Sequence, residues 1–228
     1  MKIGIIGAMD IEIQLLKEHL INIKETKISN FSFYEGKIQN HEVIVLLSGI
    51  GKVSASVGTA LLINTFSPDL VINTGTAGGL RTSSVYDLIL ATEVSYYDVD
   101  VTAFGYQLGQ QAQMPPVFLP DQKWLEIASR NCLKFTKQLH SAPIVSGDSF
   151  ISNPEKKHWI EEKFPNALAV EMEAAAIAQT CYLMNTPFLV LRAISDSAGE
   201  GNTISYETFV EQAGSLSAKM NINLIESL

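Results

Sequence analysis

Three short stretches of this chain are predominantly apolar: Lys2–Gly7, residues 69–73 and residues 187–195, the last interrupted by Arg192. A strand with one wet face alternates polar and apolar residues. Runs without that alternation are covered on both faces, as in a sheet packed between helices. Segments with helical spacing lie between them. Residues 10–20 place Ile11, Leu15, Leu16 and Leu20 on one face, and residues 53–66 form a long Ala/Val/Leu segment. Phe31–Ile38 and residues 42–47 read as strands joined through Gln39-Asn40. Further strands are expected at 88–97 and 142–146, and further helices at 122–136, 173–184 and 205–224. Asn153 and Pro154 mark another helix start, and Ser205 stands where the last helix would be capped. Residues 99–120 read as irregular. Strands and helices alternate without repeats or a linker, so the expectation is one α/β domain over residues 1–228 with a central mixed sheet.

Composition narrows the function classes. The chain is 46% hydrophobic and 18% charged, with a net charge of −8. That balance suits a globular core, and the lack of a basic stripe argues against nucleic acid as a partner. Small molecules or further copies of the chain fit better. Cys132 and Cys181 have no CxxC spacing, and the four histidines are scattered. No metal site is expected, and a reducing, cytoplasmic setting fits better than a disulfide. No apolar run approaches the length of about 20 residues that a membrane helix needs.

Three carboxylates stand where apolar runs end or turn: Glu12, Glu173 and Asp196. Such strand ends are where α/β folds bind ligands. Asp196 follows the 187–195 run, and donating a proton near neutrality would require burial. Glu173 precedes an Ala-rich helix and either caps it or accepts from ligand hydroxyls. Arg192 lies inside an otherwise buried strand and needs a carboxylate partner, which Glu12 or Glu173 could supply. Period two puts Arg192 and Asp196 on one side of that strand. The small residues of 73–79 (Asn-Thr-Gly-Thr-Ala-Gly-Gly) form either a tight crossover turn or a close backbone approach to a ligand. That segment has no Arg to mark a phosphate site. Phe150 follows a Gly-Asp-Ser turn and is either core or a platform for a planar base.

Several of these segments are shared with one family. They are Gly-Ile-Ile-Gly-Ala-Met at 4–9, Ser-Gly-Ile-Gly-Lys-Val at 48–53, Asn-Thr-Gly-Thr-Ala-Gly-Gly at 73–79 and Asp-Val-Thr-Ala-Phe-Gly-Tyr at 100–106. Val-Ser-Gly-Asp-Ser-Phe-Ile at 145–151, Ala-Val-Glu-Met-Glu-Ala at 169–174 and Arg-Ala-Ile-Ser-Asp at 192–196 follow in order. Nearly end to end, the chain resembles the bacterial 5′-methylthioadenosine/S-adenosylhomocysteine nucleosidases of the purine nucleoside phosphorylase superfamily. The resemblance implies a single-domain three-layer α/β/α sandwich whose mixed sheet is partly barrel-like. It implies hydrolysis of the adenine–ribose N-glycosidic bond of adenine thionucleosides by a homodimer, without metal or organic cofactor.

By position, the resemblance makes Asp196 the acid at adenine N7 and Glu12 the base for water, with Arg192 nearby. Phe150 would stack on the base and the Ile151 backbone would read its edge. Glu173 and Met172 would hold the ribose, bordered by Thr76, Ala77 and Gly78. Met9, Ile50, Val101, Phe104 and Tyr206 would line an apolar 5′-thio pocket. The chain departs from the family's usual residues at Thr76 (usually Ser), Tyr86 (Gly), Tyr97 (His) and Ala112 (Pro). A phosphorylase of the same fold, or a nucleotide-sensing protein without catalysis, are the competing readings.

Overall fold

The computed structural model describes residues 1–199 and 203–228, leaving the side chains of Phe135 and of 203–206 outside the description. The elements run β1 Lys2–Gly7, α1 Asp10–His19, β2 Ile21–Ile28, β3 Phe31–Ile38, β4 His41–Leu47 and α2 Lys52–Phe66. They continue with β5 Leu70–Gly79, β6 Leu88–Tyr96, α3 Gln122–Phe135, β7 Leu139–Ser146 and α4 Pro154–Lys163. The chain ends with β8 Ala169–Glu171, α5 Ala174–Leu183, β9 Phe188–Ser197 and α6 Thr203–Glu226.

The strands form one mixed sheet in the order β2-β3-β4-β1-β5-β8-β7-β6-β9, and β9 returns to pair with β5. Five of them, β5, β8, β7, β6 and β9, therefore close into a barrel. The sheet is covered on both faces. Ala55 and Leu62 of α2 and Ile177 and Cys181 of α5 pack on Ile6 and Leu46. On the other side Ile13 and Leu16 of α1 and Ala213, Met220 and Ile225 of α6 pack on Ile3 and Ile5. This is the expected three-layer arrangement with a partly barrel-like sheet.

Four local features differ from the sequence reading. Strand β2 was not anticipated, because Ile-Asn-Ile-Lys-Glu-Thr-Lys-Ile is polar and mostly exposed at the sheet edge. Its lysines suit an edge that must not pair further. Strand β8 has only three residues, too few for a periodic signal. Residues 74–79 are not a crossover turn: β5 continues through Gly79, paired with β9 on one side and, at Gly78 and Gly79, with β8 on the other. Ladder bonds on two sides override the low strand propensity of glycine. Helix α6 begins at Thr203, so Ser205 falls within it.

Tyr86 takes a left-handed backbone with φ 73°. A bulky side chain is strained there. Its ring meets Phe209 edge-on at 5.8 Å, and its hydroxyl donates to Gln212 Oε1 at 2.5 Å, both on α6. These contacts offset the strain.

Helix α6 also reaches through to the middle of β5. Ser217 Oγ accepts the Gly75 N–H at 3.1 Å and donates to Leu191 O at 3.0 Å. It shares a further bond of 2.9 Å with Thr74 Oγ1, which accepts from Asn221 Nδ2 at 2.9 Å. All five residues are buried, so each lost bond leaves a polar group unsatisfied. Ser217→Ala is expected to lower unfolding free energy by about 1–3 kcal/mol in urea titration. An unchanged midpoint would show that α6 is not pinned to β5 this way.

Candidate active site

Glu12 stands at the third position of α1, and its side chain is 1% exposed. Oε2 accepts the Ala8 N–H at 2.9 Å and the Met9 N–H at 3.1 Å, amides that the start of the helix cannot pair internally. Oε1 accepts the Thr76 N–H at 2.8 Å and the Thr76 hydroxyl at 3.1 Å. Four donors thus fix the carboxylate. The hydroxyl that Thr76 keeps in place of the family's usual Ser supplies one of them. Gly75 makes this approach possible. Its φ is 143°, and a Cβ there would meet Glu12 Oε1 at 2.6 Å and collide with Arg192 Nη1.

Arg192, on β9, has a side chain 1% exposed. Nη2 donates to Glu171 Oε2 at 2.5 Å, to Asn73 Oδ1 at 2.8 Å and to Glu173 Oε2 at 3.3 Å. Nη1 donates to Thr76 O at 3.2 Å and lies 3.9 Å from Glu12 Oε1. Burial opposes its charge, yet Glu171, Glu173 and Glu12 together raise its pKa above the ordinary value. The sequence reading offered Glu12 or Glu173 as partner. The closest is Glu171, which that reading missed.

Glu171 also does the work foreseen as one option for Glu173. Its Oε2 accepts the N–H groups of Glu173 and Ala174, at 2.9 and 2.8 Å, at the start of α5. Ser146 donates to its other oxygen and accepts the Ala175 N–H at 2.8 Å. Glu171 is therefore the cap of α5, and Glu173 is released from that role. The signal was present in Glu-Met-Glu: two carboxylates before a helix, one more than a cap requires. Glu173 Oε1 instead accepts the Gly51 N–H at 2.9 Å. Burial pushes its carboxyl up to about 7 against the pull of Arg192, with Glu171 and Glu12 pushing the same way.

Asp196 is 6% exposed and takes a hydrogen bond of 2.7 Å from Ser195 Oγ on Oδ1. Period two does not carry unbroken from Arg192 to Asp196. The β5–β9 register shifts between Ala77 and Gly78, where one extra residue, Ser195, bulges from β9. Both residues nevertheless line the same cavity.

That cavity is an open cleft at the strand ends, lined by both polar and apolar groups. Met9, Glu12, Ile50, Thr76, Ala77 and Gly78 line it from the turn between β1 and α1, from α1, from β5 and from the turn before α2. Phe150, Ile151, Met172, Glu173, Arg192 and Asp196 complete it, with Glu171 and Ser195. Phe150 is 46% exposed at its lip rather than in the core. The Ile151 carbonyl accepts the Gly199 N–H at 2.6 Å, tying the Phe150 segment to the end of β9. Val101 and Phe104 are not among the lining residues, and Phe104 is 80% exposed. Tyr206 has its side chain outside the described residues. Among the described residues no group of His, Cys, Asp and Glu could hold a metal ion. The polar lining is dominated by carboxylates with one buried guanidinium, which favours a neutral or cationic ligand.

Residues 2–227 match the family model described as the phosphorylase superfamily. A 5′-methylthioadenosine/S-adenosylhomocysteine nucleosidase from an Exiguobacterium species is 48% identical over 96% of this chain and 95% of its own length. The crystal structure of the nucleosidase of that name from Neisseria meningitidis, in complex with methylthio-immucillin-A, superposes with a TM-score of 0.97 at 46% identity. It covers 100% of this chain and 99% of its own. The Colwellia psychrerythraea counterpart, in complex with adenine, gives a TM-score of 0.96 at 39% identity, covering 100% of this chain and 96% of its own.

The Glu173 carboxyl holds its proton more tightly folded than unfolded. Its stabilising contribution is complete below the unfolded value of 4.5 and fades as pH rises through about 7. Between pH 5 and 8 the protein should therefore lose on the order of 1–3 kcal/mol relative to Glu173→Gln, which does not titrate. Urea titrations at several pH values check this. Parallel pH profiles for the two proteins would contradict it.

Proposed function

Because this chain belongs to the 5′-methylthioadenosine/S-adenosylhomocysteine nucleosidase family of the phosphorylase superfamily, we propose that it hydrolyses the N-glycosidic bond of these two nucleosides. The products are adenine and the 5′-thioribose. The convergence of Glu12, Glu173 and Asp196 on one cavity carries this reading.

Cleavage builds positive charge on the ribose as the bond to adenine lengthens, and the departing base needs a proton. Asp196 hydrogen-bonds adenine N7 and protonates it. Ser195 orients the carboxyl by donating to Oδ1. Phe150 stacks on the base, and the Ile151 backbone reads its edge. Glu173, with Met172, holds the ribose hydroxyls; Gly51 and Arg192 fix one Glu173 oxygen each. Glu12 orients and deprotonates the attacking water. Its four donors hold it still, and Arg192 Nη1 at 3.9 Å balances its charge. Thr76, Ala77 and Gly78 border the sugar. Met9 and Ile50 begin the 5′-thio pocket, to which Val101, Phe104 and Tyr206 are assigned by family resemblance.

A phosphorylase would need a cationic pocket. Here Arg192 is already spent on carboxylates, and Asn73 is tied to Arg192 and to Ile6 O at 3.0 Å. A phosphate in that place would face Glu12, Glu171 and Glu173. Hydrolysis is the reading these contacts favour.

We assign the activity to one domain spanning 1–228, acting as a homodimer. Ile50 (56% exposed), Val53 (75%) and Phe104 (80%) are exposed apolar side chains, as are Tyr182 and Leu183 of α5. A second copy covering Ile50, which lines the cavity, would close its apolar side. Both cysteines are buried free thiols, which suits a reducing cytoplasm.

Three outcomes are expected. Adenine release from methylthioadenosine should proceed equally with and without phosphate, and Asp196→Asn and Glu12→Gln should each slow it by about 10²–10⁴-fold while remaining folded. Phosphate dependence would overturn the hydrolase reading, and wild-type rates would remove those residues from the mechanism. Light scattering should give a mass about twice 25.0 kDa. A single-chain mass would overturn the dimer.

A further inference from the structure

A second charged network borders the cavity, and none of the steps above uses it. Lys52 Nζ donates to both oxygens of Asp98, at 2.9 and 2.8 Å, and lies 3.8 Å from Asp148 Oδ2. Asp98 Oδ2 also accepts the Asp148 N–H at 3.0 Å. Asp148 Oδ1 in turn accepts the Lys52 N–H at 2.8 Å. These bonds form a closed ring through three residues far apart in sequence.

The ring joins two of the segments that line the cavity. One is the turn before α2, where Ile50 lines the cleft and Gly51 donates to Glu173. Helix α2 has no cap from its own N-cap residue and no acidic residue in its first turn. Asp148 and Glu173 supply acceptors for its leading amides instead. The other segment, 147–151, carries Phe150 and Ile151. It is pressed onto the end of β6: Tyr97 OH donates to Ser149 O at 3.2 Å, and a Cβ on Gly147 would meet Asp98 Cγ at 2.8 Å. Lys52 and Asp98 side chains are only 23% and 25% exposed, so their pairing is partly shielded from salt.

We propose that the Asp98–Lys52–Asp148 ring is a clasp that sets the separation of the base and sugar subsites, with Lys52 and Asp148 as positioning residues. This deepens the nucleosidase reading and rests on it. The ring holds the base-stacking segment against the turn that feeds Glu173. All three side chains keep solvent exposure, Asp148 most of all at 47%. Its loss should therefore loosen ligand contacts more than the fold.

The experiment compares wild type, Lys52→Met, Asp148→Ala and Lys52→Arg. Steady-state adenine release from methylthioadenosine, calorimetric titration with adenine, and melting temperature are measured for each. Lys52→Met and Asp148→Ala should raise KM and weaken adenine binding by about tenfold each, with kcat falling less. Lys52→Arg, which can still pair with both Asp98 oxygens, should recover most of the loss. Should Lys52→Met not fold, Asp148→Ala decides alone, since Asp148 sits on the surface with its side chain 47% exposed. Wild-type KM and adenine affinity in the folded variants, or a change confined to melting temperature, would overturn the clasp. Absence of adenine release by wild type would overturn the nucleosidase reading instead, and the adenine titrations would then decide the clasp separately.

Discussion

The buried guanidinium of Arg192 is the constraint on which the site depends. It is shared among Glu171, Glu173 and Glu12, with Asn73 and the Thr76 carbonyl taking further bonds. Bringing three carboxylates into one dry space is unfavourable without a cation, and a buried cation is unfavourable without them. Removing the guanidinium would cost about 3–5 kcal/mol, because the carboxylates would be left uncompensated. One positive charge does not neutralise three negative ones. The surplus is felt at Glu173, whose carboxyl is pushed up to about 7 by burial, with Glu171 and Glu12 adding to it.

The surrounding backbone gives each carboxylate a separate setting. Glu171 is consumed by Arg192 and the start of α5. Glu12 is held by four donors from β5 and from its own helix start. Glu173 keeps one oxygen on Gly51 and one on Arg192. Asp196 stands across the bulge in β9 with Ser195 beside it. Acids and bases of one chemical type can act in opposite roles only when their environments differ in this way. Strand β5 makes that possible: Gly75 clears room for Glu12 and Arg192, while Ser217 and Asn221 on α6 hold its far side.

Much of this was legible in the sequence. The predominantly apolar runs at β1, β5 and β9 announced a covered sheet, and alternation with helical segments announced the layers. Glu12, Glu173 and Asp196 were recognisable because each interrupts or ends such a run. Arg192 was recognisable because a charge in a buried strand requires a partner. What escaped detection depended on contacts distant in sequence. Strand β2 has the composition of a loop and exists because β3 offers it an edge. The strand character of 74–79 comes from neighbours on both sides. Glu171 could not be told from Glu173 until the start of α5 showed which one caps it. The bulge at Ser195 depends on pairing with β5, which period-two counting along one strand does not see.

The central claim is that Glu12, Glu173 and Asp196 serve different parts of one ligand. Calorimetric titration of Glu173→Gln with adenine and with a non-hydrolysable methylthioadenosine analogue tests it most directly. The account predicts that affinity for the nucleoside analogue falls while affinity for adenine stays at the wild-type value. An equal loss for both ligands would contradict it, because Glu173 would then be a general structural support rather than the residue that holds the sugar.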